Sequence, residues 1–199
     1  MHRIAPEELA QLFIRDITKG CEGTDYVGPR EQPTRIRAGV IKVGAGYWSI
    51  SPLERRVFEA AGEAHRRTGA PVACHLELGT AAWEVMEALE AAGIAPERIM
   101  LAHVDRNPDP GLHAELAAAG AYLGYDGMAR FKYWPDSVLL DCLLRVASQG
   151  GADRLLLGGD VARVRHSVRM VACQEWRICP GVSFLVLPRW GERIWCAEY

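Results

Sequence analysis

The sequence is poor in every feature that marks a membrane-spanning, secreted or nucleic-acid-binding chain. No apolar run approaches the ~20 residues needed to cross a bilayer, and Met1-His-Arg-Ile-Ala-Pro6 lacks the layout of a signal peptide. An excess of either charge is missing. A formal net charge of -2 over 199 residues offers no basic face to nucleic acid or to an anionic membrane. The six cysteines (Cys21, Cys74, Cys142, Cys173, Cys179 and Cys196) include no Cys-x-x-Cys pair, which argues against a zinc ribbon or a thioredoxin-like motif. The chain is also too long and too rich in ordinary core residues for a disulfide scaffold. Cys74 and Cys142 lie within apolar patterns and read as small buried hydrophobes with reduced thiols. A dinucleotide loop is missing as well: Gly44-Ala-Gly46 begins one, but Ser49 stands where the third glycine belongs and Pro52 follows. These absences leave a soluble, cytoplasmic chain with one sizeable core, whose expected partner is a small molecule.

What is present is a repeating alternation. Leu9, Leu12, Phe13 and Ile17 recur at helical spacing over residues 6–17, and Gly20 stops that helix. Residues 21–37 read as a loop. A strand over 38–43 follows. Ser51, Pro52 and Glu54 then form the cap, first turn and capping-box partner of a helix ending near Gly69. The same order recurs as strand 72–74, helix 80–92, strand 98–102, helix 110–119, strand 121–123, helix 136–148 and strand 154–157. Five strands alternating with helices at ~30-residue spacing signal βαβ units and a parallel sheet. Beyond Arg163 the amphipathic order dissolves, so residues 1–163 read as one α/β unit and 164–199 as an atypical tail of unassigned structure.

Four polar residues stand at the ends of the apolar runs. Lys42 closes Gly39-Val-Ile-Lys42, His75 closes Ala70-Pro-Val-Ala-Cys-His75, His103 closes Ile99-Met-Leu-Ala-His103, and Asp160 closes Leu155-Leu-Leu-Gly-Gly-Asp160. A buried parallel strand has little reason to end in such a group unless it meets a ligand, and in (β/α) barrels chemistry is done at the carboxyl ends of the strands. Plainer roles stand beside this one: a snorkelling lysine, strand-capping histidines, and an aspartate capping the next helix. Asp105, Arg106 and Asp109 are loop residues that either touch substrate or shape the loop. His65 and His113, on predicted helices among Glu and Arg, read as surface residues, and His166 falls in the tail.

Several of these segments together resemble the phosphotriesterase-like family of the amidohydrolase superfamily. They are Phe13-Ile-Arg-Asp-Ile-Thr-Lys-Gly20, Ala38-Gly-Val-Ile-Lys-Val-Gly44, Gly69-Ala-Pro-Val-Ala-Cys-His75 with Glu77, Ala102-His-Val-Asp-Arg-Asn-Pro-Asp109, Gly120-Ala-Tyr-Leu-Gly-Tyr-Asp-Gly127 and Gly158-Gly-Asp-Val-Ala-Arg163. The resemblance implies a TIM (β/α) barrel whose last five βα units are represented here. It further implies a binuclear centre of zinc or another divalent metal, and hydrolysis of an ester, lactone or phosphoester by activated water. Carried over by position, Lys42 is the carboxylated lysine (N6-carboxylysine) that bridges the metals. His75 and His103 bind one metal. Asp160 binds the other and takes the proton from the attacking water. Of the loop residues after the third strand, Arg106 and Asp105 are the candidates for substrate contact.

One departure bears on all of this. The family's first strand supplies a His-x-His, and this sequence has none; His2 stands alone. The expectation is therefore an N-terminally incomplete barrel holding at most one tight metal. Its sheet would have open edges at the first and fifth strands, prone to pairing with other chains, including copies of itself. The alternative is a truncated, non-catalytic relative with residual metal binding or none.

Overall fold

Strands and helices alternate as the periodicity predicts, and the strands line up in chain order. The computed structural model describes residues 4–21, 34–130, 132–160 and 184–186. Five parallel strands, β1 (Ile41–Ala45), β2 (Val72–Leu76), β3 (Ile99–Ala102), β4 (Tyr122–Tyr125) and β5 (Leu155–Gly158), pair each with the next. Helices α1 (Pro6–Thr18), α2 (Pro52–Thr68), α3 (Ala82–Ala91), α4 (Pro110–Ala118) and α5 (Asp136–Val146) fill the intervals. Among the described residues no helix is long and apolar enough to cross a membrane.

Local chemistry sets the helix ends. Ser51 Oγ accepts the Glu54 N–H, and Glu54 Oε2 accepts the Ser51 N–H at 2.6 Å, so the predicted capping box is closed. A cap of this kind is worth about 1 kcal/mol. Gly69 ends α2 at φ +72°, a left-handed conformation that costs glycine nothing.

Register decides which face is core. Ile41, Val43 and Ala45 lie level with Val72, Cys74 and Leu76, and the row continues through Ile99, Leu101, Leu123 and Tyr125. Against this face pack Phe58, Val85, Met86, Leu89, Leu116 and Val146 from the helices. Because side chains alternate along a strand, the opposite face carries Lys42, His75, Met100 and Tyr122, none of which is fully buried. Cys74 and Cys142 are buried free thiols, as their apolar settings predict, while Cys173, Cys179 and Cys196 lie outside the described residues.

The structure corrects the sequence reading in four places. Lys42 does not close its strand: β1 starts at Ile41 and runs on to Ala45, so Lys42 is its second residue. Gly44 and Ala45 are weak strand formers, but pairing with His75 and Leu76 holds them in the ladder. His113 is not a surface residue; it is 1% exposed, at the i position of a buried His113–Leu116–Ala117 stripe on α4. His65 is half-buried, with Nδ1 2.8 Å from the Ala70 carbonyl at the turn into β2. The fifth strand is not an open edge either. A sixth strand, β6 (Phe184–Val186), within the region read as tail, pairs antiparallel with β5, Leu157 level with Leu185. Among the described residues β1 remains an edge strand, and His166 lies outside them.

Candidate active site at the carboxyl end of the sheet

The parallel ladder delivers the predicted polar residues to one end of the sheet. His75 is level with Gly44 on one side and Ala102 on the other, and Gly124 lies beyond. These small neighbours leave its ring room on the face away from the helices. His103 is the first residue past β3 and adopts φ +66°. The two imidazoles meet edge to face with centroids 4.6 Å apart. Asp160, two residues past β5, also has positive φ, +43°. A non-glycine residue there is uncommon, and such outliers concentrate at functional sites.

Each histidine has one nitrogen held by a carboxylate. Asp126, buried at the end of β4, lies 2.6 Å from His103 Nδ1. Glu77 Oε2 lies 3.1 Å from His75 Nε2. With those nitrogens donating, His103 Nε2 and His75 Nδ1 keep free lone pairs, the arrangement that prepares a histidine for a metal. Burial lowers the basicity of His75, and the neighbouring His103 and Lys42 add to that against the opposing pull of Glu77. The Lys42 residue is exposed, yet protein atoms crowd its amine. Desolvation lowers its pKa, partly offset by Cys74, Asp126 and Asp160.

The loops that carry these groups are tied to one another. Gly79 sits so close to the 103–107 turn that a Cβ there would come within 2.9 Å of Asn107 N and of the His103 and Val104 carbonyl oxygens. Thr80 Oγ1 donates to the Glu77 carbonyl at 2.7 Å and accepts the Trp48 N–H at 3.0 Å, joining the loop after β1 to the turn after β2. Asp105 has no exposed surface. Its Oδ2 accepts the Gly127 N–H at 2.6 Å, which links the loops after β3 and β4. Burial and the nearby Asp126 push its pKa up to about 7, despite Gly127, His103 and Arg106. Asp109 is a loop-shaping residue: it caps α4 by accepting the Gly111 and Leu112 N–H groups.

Asp160 is engaged by two arginines. Arg106 Nη2 approaches its Oδ2 at 3.1 Å and Arg130 Nη1 at 2.8 Å, while Arg130 Nη2 also donates to its carbonyl. Both arginine Nε groups are buried without a protein partner. The Arg106 guanidinium lies 5.3 Å from the Tyr133 ring centroid, and its carbonyl accepts Trp134 Nε1–H. Two guanidinium groups thus converge on one carboxylate.

As a metal site the set fits on one side only. His75 and His103 offer neutral imidazole donors beside Lys42. Among the described residues, however, no three His, Cys, Asp or Glu converge on one point, and the Asp160 carboxylate faces guanidinium groups instead. The structure thus brings His75 and His103 together and places Arg106 with Asp160. Glu77, named from the sequence only as part of the family resemblance, was given no role, and Asp126 and Arg130 are site members not singled out from the sequence. Asp126 could have been: Tyr125-Asp126-Gly127 ends a strand in an acid, as Gly158-Gly-Asp160 does.

Comparison with known proteins identifies the family. The family model for the phosphotriesterase family matches residues 1–178. A phospho-furanose lactonase of Mycoplasmopsis synoviae is 32% identical over 164 residues, which is 82% of this chain and 46% of the relative. Among solved structures, a lactonase from Listeria monocytogenes shares 35% identity at a TM-score of 0.74, over 82% of this chain and 47% of that one. The phosphotriesterase homology protein of Escherichia coli, solved with phosphate in its active site, shares 29% identity at a TM-score of 0.73, over 82% of this chain and 53% of that one. The chain spans about half the length of these relatives.

Proposed function

Because the chain belongs to the phosphotriesterase family, we propose that it carries the histidine–lysine side of a metal-dependent hydrolytic site for a lactone or phosphoester bond in a small anionic substrate. The observation that carries this reading is the His75–His103 pair, each ring anchored through one nitrogen by a carboxylate. A divalent metal such as zinc, held by His75, His103 and a carboxylated Lys42, would supply Lewis-acid polarisation of the scissile carbonyl or phosphoryl oxygen. Lys42 suits carboxylation because desolvation enlarges the neutral-amine fraction. That amine forms an N–C bond to CO2 and sheds a proton, turning a cation into an oxygen donor.

The remaining residues have roles set by their positions. Asp126 and Glu77 fix the two ring orientations. Arg106 and Arg130 hold the anionic group of the substrate, for which their planar donors, with both Nε groups lacking a protein partner, suit them. The relatives named for phosphorylated furanose lactones and for bound phosphate support that choice. Asp160, one third exposed, accepts the proton of the attacking water. A cytoplasmic setting, with Cys21, Cys74 and Cys142 reduced, belongs to the same reading.

A second reading rests on one specific observation: Asp160 is already satisfied by two arginines, as expected of a non-catalytic relative. Elemental analysis combined with hydrolysis of phosphorylated and unphosphorylated five-membered lactones separates the two. About one zinc per chain and faster turnover of the phosphorylated lactone is the expected result. Metal-free protein without turnover overturns the first reading in favour of the second.

A further inference from the structure

Beneath the site lies a buried polar cluster that the proposed chemistry does not use. His113 Nδ1 stands 2.6 Å from Tyr125 Oη, the rings meet edge to face, and Cys142 Sγ is 3.4 Å from the hydroxyl and 3.5 Å from the imidazole nitrogen. Backbone groups of Val104 and Asn107 lie near enough to the His113 ring to favour its protonated form, against the larger effect of burial. His113 and Tyr125 have essentially no exposed surface, and Cys142 has little. Four elements therefore meet on one imidazole: α4 through His113, the last residue of β4 through Tyr125, α5 through Cys142, and the turn behind His103 through Val104 and Asn107.

Two of those contacts are one residue from the site. Tyr125 directly precedes Asp126, which holds His103 Nδ1. Val104 directly follows His103, and the same turn carries Asp105 and Arg106. A polar group this deep is costly unless satisfied, and an apolar residue would have filled the space more cheaply. We infer that His113 is a positioning residue, which fixes the end of β4 against the turn after β3 and so sets the His103–Asp126 hydrogen bond. It touches neither substrate nor metal; it sets the distance between His103 and the carboxylate that orients its ring. The inference rests on the proposed site for its consequence, but its test needs neither metal nor turnover.

The test reads the proton shared by His103 Nδ1 and Asp126, which a bond of 2.6 Å should place at low field in the proton NMR spectrum of the full chain. D126N removes the resonance and so assigns it. H113F and Y125F should each lose it, or move it upfield with faster exchange into water, whereas H113N, whose amide can still accept from Tyr125, should retain it. L116A truncates another fully buried residue of the same helix and should weaken the fold without moving the resonance. A resonance unchanged in H113F overturns the inference. So does a resonance that L116A shifts as far as H113F does, since His113 would then be packing alone. Absence of metal or turnover, by contrast, would overturn only the proposed function.

Discussion

The two ends of the sheet turn the chain by different means. At the amino end, helices lead into strands through Gly69, Gly93, Gly120 and Gly150, each with positive φ. At the carboxyl end, positive φ falls on Trp48, Leu78, Ala81, His103, Ala129 and Asp160, every non-glycine residue so placed among the described residues. Left-handed backbone costs glycine nothing and other residues about 1–2 kcal/mol each. The amino end is thus built without strain, and the carboxyl end is held in shape by its surroundings. That division matches a fold in which one end secures stability and the other does chemistry.

The largest test of this contrast removes a carboxyl-end group outright. H103A should lower divalent-metal affinity by more than the ~10–100-fold typical of losing an outer-shell partner, and should also destabilise the fold, because buried Asp126 loses its partner. Equilibrium dialysis checks it, and unchanged affinity would break the contrast at its functional end.

The next test concerns the join between the ends. Burial depresses the pKa of His113 from 6.5 to about 4. For a group whose folded pKa is lowered, stability is fully present above 6.5 and is lost as pH falls towards 4, in all about 3 kcal/mol. Asp105, raised to about 7, works in the opposite sense, contributing stability at low pH that is lost as pH rises through that value. The difference between wild type and H113F in urea titrations across this range therefore isolates His113. H113F should be the less pH-sensitive of the two on the acid side. Parallel curves would mean that the imidazole is not held neutral.

At the amino end, G150A should cost about 1–2 kcal/mol, all of it conformational, since an added Cβ there meets nothing within 4 Å. Metal affinity should not change; a loss would show that the two ends are not separable. The smallest effect belongs to A129G at the carboxyl end. Relief of left-handed strain and added unfolded-chain entropy, each about 1 kcal/mol, should nearly cancel. A thermal midpoint that falls markedly would show that the Ala129 methyl group, not its backbone, matters.

Much of the fold was readable because each unit carries local punctuation: the Ser51–Glu54 box, the helix-stopping glycines, and apolar runs of strand length. Boundaries were less so. Lys42 seemed terminal because Gly44 and Ala45 are poor strand formers, and only pairing with β2 keeps them extended. His113 seemed exposed because its sequence neighbours include Glu115, although Leu116 and Ala117 at i+3 and i+4 mark its face as buried. In the site, His75 and His103 were legible from their strand-end positions. The Arg130–Asp160 contact joins residues thirty positions apart across two loops, and no local pattern encodes it. β6 was hidden for a like reason, since its three residues become a strand only beside β5.

Thr80 gives the loop after β1 a property of its own. Its single hydroxyl spends its proton on Glu77 and its lone pair on the Trp48 amide, so one atom latches two loops. The Trp48 amide can exchange with solvent only when that latch opens. Its deuterium uptake therefore works as a built-in gauge of the turn that carries the carboxylate partner of His75. Threonine to valine would keep the shape and silence the gauge, leaving Tyr47 and Trp48 free to move independently of the turn.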